Sequence, residues 1–215
     1  MSAKDDNQQQ KVLNGHNLAD VHLIWGVAPL AVFFPLLQKG FLIKALCGVS
    51  IRAVLCDQLG VTDQYLDERI NTIFLDGKPV DDVNSAIIKE DSVLALSAAM
   101  PGFVGAAFRK GGYYAVMRKG ITHFEESEPT VEREGFFLLK LYNFVAKELG
   151  PLFLESGIWL RSNDMKELFR SRLEDFHSSC RSCTVNGRKI DLAEFLEGLW
   201  MEELDLVRLR VLHGS

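Results

Sequence analysis

A chain of 215 residues holds one large domain or two small ones, and either way it buries a sizeable core. At 47% hydrophobic and 25% charged residues the composition is that of an ordinary globular protein. A net charge of −5, not segregated between the two halves, excludes a global basic field for nucleic acid or an anionic membrane.

Residues 1–20 are polar, lack periodicity and read as a disordered tail. They also lack the basic-then-apolar order of a secretory leader, so Cys47, Cys56, Cys180 and Cys183 are expected as reduced thiols in the cytoplasm. The apolar run from Leu23 to Leu37 falls short of a spanning helix and is broken by Gly26, Pro29 and Pro35. It reads as a buried or edge strand, or as an apolar surface for a protein partner or a second copy of the chain, with no membrane span.

Residues 32–38 and 41–46 flank Lys39-Gly40 and predict a tight hairpin. Ser50 is a suitable N-cap for a helix whose Ile51, Val54, Leu55 and Leu59 share a face, with Gly60 closing it. Residues 70–75 predict a strand, Asp76-Gly77 a turn, 78–80 a short return strand and 93–96 a further strand. The Gly-rich stretch that follows suggests an antiparallel meander of runs 103–109, 113–118 and 121–124, with an acidic linker at 125–129.

Beyond the linker, residues 131–149 are apolar nearly all round and predict a buried helix ended by Gly150-Pro151. A second helix is expected from Asn163-Asp164, with Asp164 and Glu167 at capping-box spacing and Met165, Leu168, Phe169, Leu173 and Phe176 on one face. Asn186-Gly187 signals a hairpin turn, Asp191 opens a third helix, and residues 207–211 alternate with the period of a strand. These elements predict an α+β protein: a disordered tail over 1–20, a β-grasp-like N-terminal part with an added meander over 21–124, and a mostly helical C-terminal part over 130–215.

The run Phe74-Leu75-Asp76-Gly77-Lys78-Pro79-Val80, with Lys89-Glu90-Asp91-Ser92-Val93-Leu94-Ala95-Leu96 and Met100-Pro101-Gly102 downstream, resembles the ubiquitin-like β-grasp proteins. The likeness is to their sulfur-carrier branch, the small subunit of molybdopterin synthase and its thiamin-pathway relative, and it covers roughly residues 30–102. The resemblance implies a β-grasp fold. Carriers of that branch end in Gly-Gly, whose carboxylate is adenylated and then thiolated. This chain runs on past Gly102 and finishes His213-Gly214-Ser215, so carrier activity would require cleavage after Gly102, Gly105 or Gly112.

His177, Cys180 and Cys183 form the sharpest local cluster: the Cys-x-x-Cys spacing lets two thiolates share a metal such as zinc or form a redox pair, and Arg181 between them would favour the thiolates. A fourth ligand would have to come from Cys47, Cys56, His123 or His213. Neither 100–105 nor 109–112 matches a phosphate-loop spacing. Arg109, Lys110, Arg118 and Lys119 beside Tyr113 and Tyr114 suggest a basic, aromatic patch, although solvated turns explain the same residues, and no nucleic-acid partner is expected. Asp81-Asp82 and the acidic stretch 125–128 read as solvated charge. With no nucleophile, base and orienting acid in sequence context, the expectation is a non-catalytic interaction or scaffold protein with no cofactor. The alternatives are the metal or thiol-redox site and the cleaved carrier.

Overall fold

The structure, a computed structural model, describes residues 17–26, 29–98, 102–118, 121–123 and 131–214. The expected tail up to residue 16, Met100-Pro101, Lys119 and the linker at 125–129 lie outside them. In chain order the strands are β1 (Leu18–Trp25), β2 (Phe41–Cys47), β3 (Val49–Ser50), β4 (Thr72–Leu75), β5 (Lys78–Pro79), β6 (Ile87–Ile88), β7 (Val93–Ser97), β8 (Arg133–Tyr142), β9 (Ile158–Arg161), β10 (Cys180–Val185), β11 (Arg188–Ile190) and β12 (Leu206–His213). The helices are α1 (Leu30–Lys39), the π-helical α2 (Ala53–Gln58), α3 (Asp63–Glu68), α4 (Gly102–Phe108), α5 (Asn143–Ser156), α6 (Ser162–Ser171), α7 (Leu173–Ser179) and α8 (Leu192–Glu197). Two compact units result, one from residues 1–32 with 151–215, the other from 33–150.

In the first unit the strand order is β11-β10-β1-β12-β9. β1 runs antiparallel to β10 and parallel to β12, so strands from the two ends of the described chain lie side by side. Burial along β1 alternates strictly: Ala19, Val21, Leu23 and Trp25 face inward. Beside them on β12 lie Val207, Leu209 and Val211, also buried. Helices α6, α7 and α8 contribute Phe169, Phe176 and Phe195 to this core. Phe176 meets Trp25 edge-on at 5.0 Å and Phe169 at 5.2 Å, and Phe169 lies 4.8 Å from Phe195.

In the second unit the order is β2-β8-β7-β4-β5, with β3 and β6 forming a separate two-stranded ribbon. β8 is antiparallel to β2 and parallel to β7. Ser50 Oγ accepts from Ala53 N at 3.2 Å and caps the helical segment as expected. Val54 and Leu55 are buried. Glu148 on α5 accepts from the Tyr65 hydroxyl at 2.8 Å and pairs with Arg69, tying α3 to α5. These contacts hold the Glu148 carboxyl below its usual range, Arg69 contributing most.

The expected fold is overturned. The part beyond residue 130 is not mostly helical: β8 to β12 lie within it. Nor is there a self-contained N-terminal β-grasp module, because the strand beside β2 is β8, from beyond the Gly-rich stretch, and β1 belongs with the C-terminal strands. The units therefore divide within 32–33 and 150–151, not at the acidic linker.

Local differences have identifiable causes. Residues 32–38 form helix α1 rather than half a hairpin; Val32, Phe33, Leu36 and Leu37 are buried at helical spacing, while Pro35 sits on the exposed side. Within the run from Leu23 to Leu37, Leu23, Trp25, Phe33 and Leu37 are at 0% exposure and belong to the core, while Ile24, Leu30 and Phe34 are half-buried. Residues 133–142 form strand β8 rather than a helix. A strand flanked on both edges, with buried and half-buried residues alternating along it, reads as continuously apolar, just as a buried helix does. Asn143, at φ 52°, then turns the chain into α5, which continues through Gly150-Pro151. The meander is replaced by α4 and a 3-10 turn, Tyr113–Arg118. The Asp164–Glu167 box is not the cap of α6, which starts at Ser162, and Arg172 separates α6 from α7.

The three tryptophans, Trp25, Trp159 and Trp200, all lie in the first unit. Phe176→Ala should therefore lower the stability read from tryptophan fluorescence in urea by roughly 3–5 kcal/mol.

Candidate functional site

The Cys-x-x-Cys pair falls on β10, whose first residue, Cys180, is also the C-cap of α7. In a regular strand residues three apart face opposite ways. Here a bulge intervenes: Cys183 is opposite Leu23, Cys180 is opposite Trp25, and the register shifts between them. Residues opposite one another share a face, so both thiols turn to the side of Leu23 and Trp25. They line a cavity of about 430 Å³ with Lys189, Ile190 and Asp191. Cys183 is 2% exposed and its thiol donates to Ile190 O at 3.3 Å; Cys180 Sγ contacts Ser182 O at 3.7 Å.

This arrangement disfavours the thiolate forms. Burial pushes Cys180 up to about 11, with the neighbouring Cys183 adding to the rise, and pushes Cys183 up as well. Cys47 and Cys56 are likewise raised, burial first, Cys56 to about 11. The expected lowering by Arg181 is not found: its side chain packs against Gly26. His177 is exposed on α7. Among the described residues no group of three or more His, Cys, Asp or Glu side chains is placed to hold a metal ion, so His177, Cys180 and Cys183 are not assembled as a ligand set.

A second site lies in the other unit. A pocket of about 600 Å³ is enclosed by Asn71 and Thr72 at the start of β4, by α4, and by the turn 109–114. Its architecture depends on Arg118, which is 5% exposed. The guanidinium donates from Nε to Ala107 O at 2.6 Å and from Nη2 to Arg109 O at 3.2 Å, satisfying carbonyls at the C-terminal end of α4. It also pairs with Asp81 at 2.6 Å and donates to Thr122 Oγ1. The same Asp81 oxygen accepts from Gly111 N at 3.1 Å. Gly111, at φ +61°, supplies the left-handed conformation this turn requires.

Lys110 is anchored twice: its backbone N–H reaches Asn71 O at 2.7 Å and its ammonium reaches Leu66 O at 2.9 Å. Burial lowers its pKa from the ordinary lysine value. Thr72 lines the pocket at 1% exposure, and its hydroxyl has no hydrogen-bond partner among the described residues. The rim is aromatic. Tyr114 lies 5.3 Å from Phe103 and 5.2 Å from Tyr113, which are 64% and 89% exposed. Arg109 is the exposed cation of this turn.

Of the basic patch read from the sequence, Arg118 is thus structural and Lys110 half-committed, while the supposedly solvated Asp81 is the acid that holds the site together. The tyrosines and glycines mark the place in the sequence; the Asp81–Arg118 pair, joined across a long separation, leaves no local signal.

Comparison with protein-family models, with curated proteins and with solved structures returns no match. The β-grasp resemblance therefore rests on the quoted motifs alone.

Native-state alkylation should be slow for all four thiols at pH 7. For Cys180, followed by peptide mass spectrometry, the rate should rise about tenfold per pH unit and level off near 11. The linkage has a definite sign: an acid whose folded pKa exceeds its unfolded value adds nothing below the unfolded value and destabilises the fold above it. Stability should accordingly fall as pH rises from about 9 towards 11. Asp81→Ala leaves a buried guanidinium without its counter-charge, and should cost roughly 2–4 kcal/mol in urea unfolding followed by circular dichroism.

Proposed function

We propose that this chain is a non-catalytic interaction protein that captures an acidic segment carrying an aromatic side chain from a partner protein. The observation that carries the reading is the ring cluster of exposed Phe103 and Tyr113 with half-buried Tyr114, whose two tyrosines line a pocket with two cations and no carboxylate in its lining. Exposed aromatic and arginine side chains around a concavity are the composition from which binding hot spots are built. Charge complementarity selects the occupant: Arg109 and the remaining protons of Lys110 favour carboxylates. The spare Thr72 hydroxyl supplies a further polar contact.

Nucleic acid suits the site less well, because Arg118 is spent on Asp81 and the chain as a whole is net −5. Among the described residues no helix is long and apolar enough to cross a membrane. The reading takes the cytoplasm as its setting, in keeping with four free thiols.

Fluorescence anisotropy with a labelled Glu/Asp-rich peptide carrying one Trp tests this. Saturable binding is expected, weakened roughly 10–100-fold by Phe103→Ala or Tyr113→Ala and by Arg109→Glu, with circular dichroism unchanged. A Lys-rich peptide of the same length should not bind. Equal binding of both peptides, stronger binding of an oligothymidylate, or indifference to all three substitutions would sink the proposal.

A further inference from the structure

The bulge in β10 sets the two thiols of the Cys-x-x-Cys sequence side by side, which a regular strand does not do. Cys183 is opposite Leu23 and Cys180 opposite Trp25, so three steps along β10 match two along β1. Two extended steps put the paired Cα atoms about 6.6 Å apart. Both cysteines line the same cavity of about 430 Å³. Cys183 also contributes to the raised pKa of Cys180, as a close neighbour does.

This spacing discriminates between the things two thiols can do. Side chains standing on one side of a strand keep their Cβ atoms nearly as far apart as their Cα atoms, well beyond the roughly 3.5–4.5 Å that a disulfide requires. All four cysteines are free. A bridging metal suits the wider gap, because two metal–sulfur bonds of roughly 2.3 Å hold sulfurs up to about 4.6 Å apart. Ligand number then limits the metal. The one carboxylate in the lining, Asp191, is committed as the N-cap of α8, accepting from Ala193 N at 2.8 Å. Among the described residues no third His, Cys, Asp or Glu completes a set, so zinc, which takes four ligands, is left two short.

We propose that Cys180 and Cys183 bind one copper(I) ion between their sulfurs, at the wall of this cavity. Copper(I) is soft, prefers thiolate and is stable with two sulfurs in line. Binding breaks two S–H bonds, forms two copper–sulfur bonds and releases two protons to water; no electron is transferred. Cys183 gives up its hydrogen bond to Ile190 O in the process. The resulting bis-thiolate centre carries one net negative charge. Arg181 and Lys189, both in the cavity lining, supply compensating positive charge, and that of Lys189 already acts on Cys183 against Asp191 and Glu194. The site belongs to the first unit and is independent of the aromatic pocket.

The test is anaerobic titration of the reduced full chain with copper(I) in competition with a chromogenic copper(I) chelator. One ion retained per chain is expected, and X-ray absorption at the copper edge should show two sulfur neighbours and no further ligand. Loss of an outer partner of a metal site costs roughly 10–100-fold in affinity, so loss of either direct ligand, by Cys180→Ser or Cys183→Ser, should cost at least about a hundredfold. Should Cys183→Ser unfold, because that side chain is buried, the half-buried Cys180→Ser carries the comparison, with circular dichroism as the check on folding. The double variant Cys47→Ser with Cys56→Ser should bind as the parent does, and excess zinc should not displace the copper. Failure to retain copper(I), three or more ligands around it, displacement by zinc, or binding that survives Cys180→Ser or is lost in the Cys47/Cys56 variant while it remains folded would overturn the proposal.

Discussion

Strand Leu18–Trp25 is held by backbone hydrogen bonds along both edges, and the first unit depends on that double pairing. Its alternation decides what each side of β10 and β12 presents. On one side Val21, Leu23 and Trp25 gather the phenylalanines of three helices. On the other, Asp20 and His22 meet Arg208 and Arg210. A one-residue slip would exchange the two sets, setting two arginines in an aromatic core. Register is therefore specified at every second position, and even the bulge at Arg181 keeps both cysteines on the apolar side.

The parts of this fold legible in the sequence were those whose cause is local. Ser50 caps the segment after it because a hydroxyl and an amide three residues apart meet without help from elsewhere. Asp76-Gly77 and Asn186-Gly187 turn because these residues tolerate positive φ. Residues 207–211 alternate because one side of β12 is apolar and the other charged. The illegible parts were those with uniformly apolar runs. For 32–38 and 133–142, helix and strand bury similar side chains, and only the neighbours, β2 and β7 beside β8 in the second case, decide between them. Of the strands beyond β8, the hairpin end of β10 with β11 and the alternation of β12 are legible, whereas β9 is not, because it is short and pairs with β12, far along the chain.

The candidate sites divide in the same way. Tyr113, Tyr114 and the glycines before them mark one pocket; of the basic residues read with them, Arg109 is exposed while Arg118 is buried. The ion pair between Arg118 and Asp81 converts one cation into scaffold, and nothing near either residue announces it. Cys180 and Cys183 carry a motif whose spacing says nothing about burial, and burial raises the pKa of both thiols. The two arginines of β12 were visible as polar positions of a strand. That both pack against Gly157, with Asp20 and His22 of β1 beside them, depends on residues remote in sequence.

The adjacency of β1 and β12 has a kinetic consequence during synthesis. Residues 18–25 leave the ribosome well before 206–213. At 5–20 residues per second the early strand waits about 10–40 s for its parallel neighbour. Throughout that interval a flat, alternately apolar segment presents an open hydrogen-bonding edge, the kind of surface through which nascent chains join one another. The intervening residues 33–150 contain a complete core of their own and are free to condense first. Productive folding is thus a matter of order, with residues 33–150 settling before the strands on either side of them can meet.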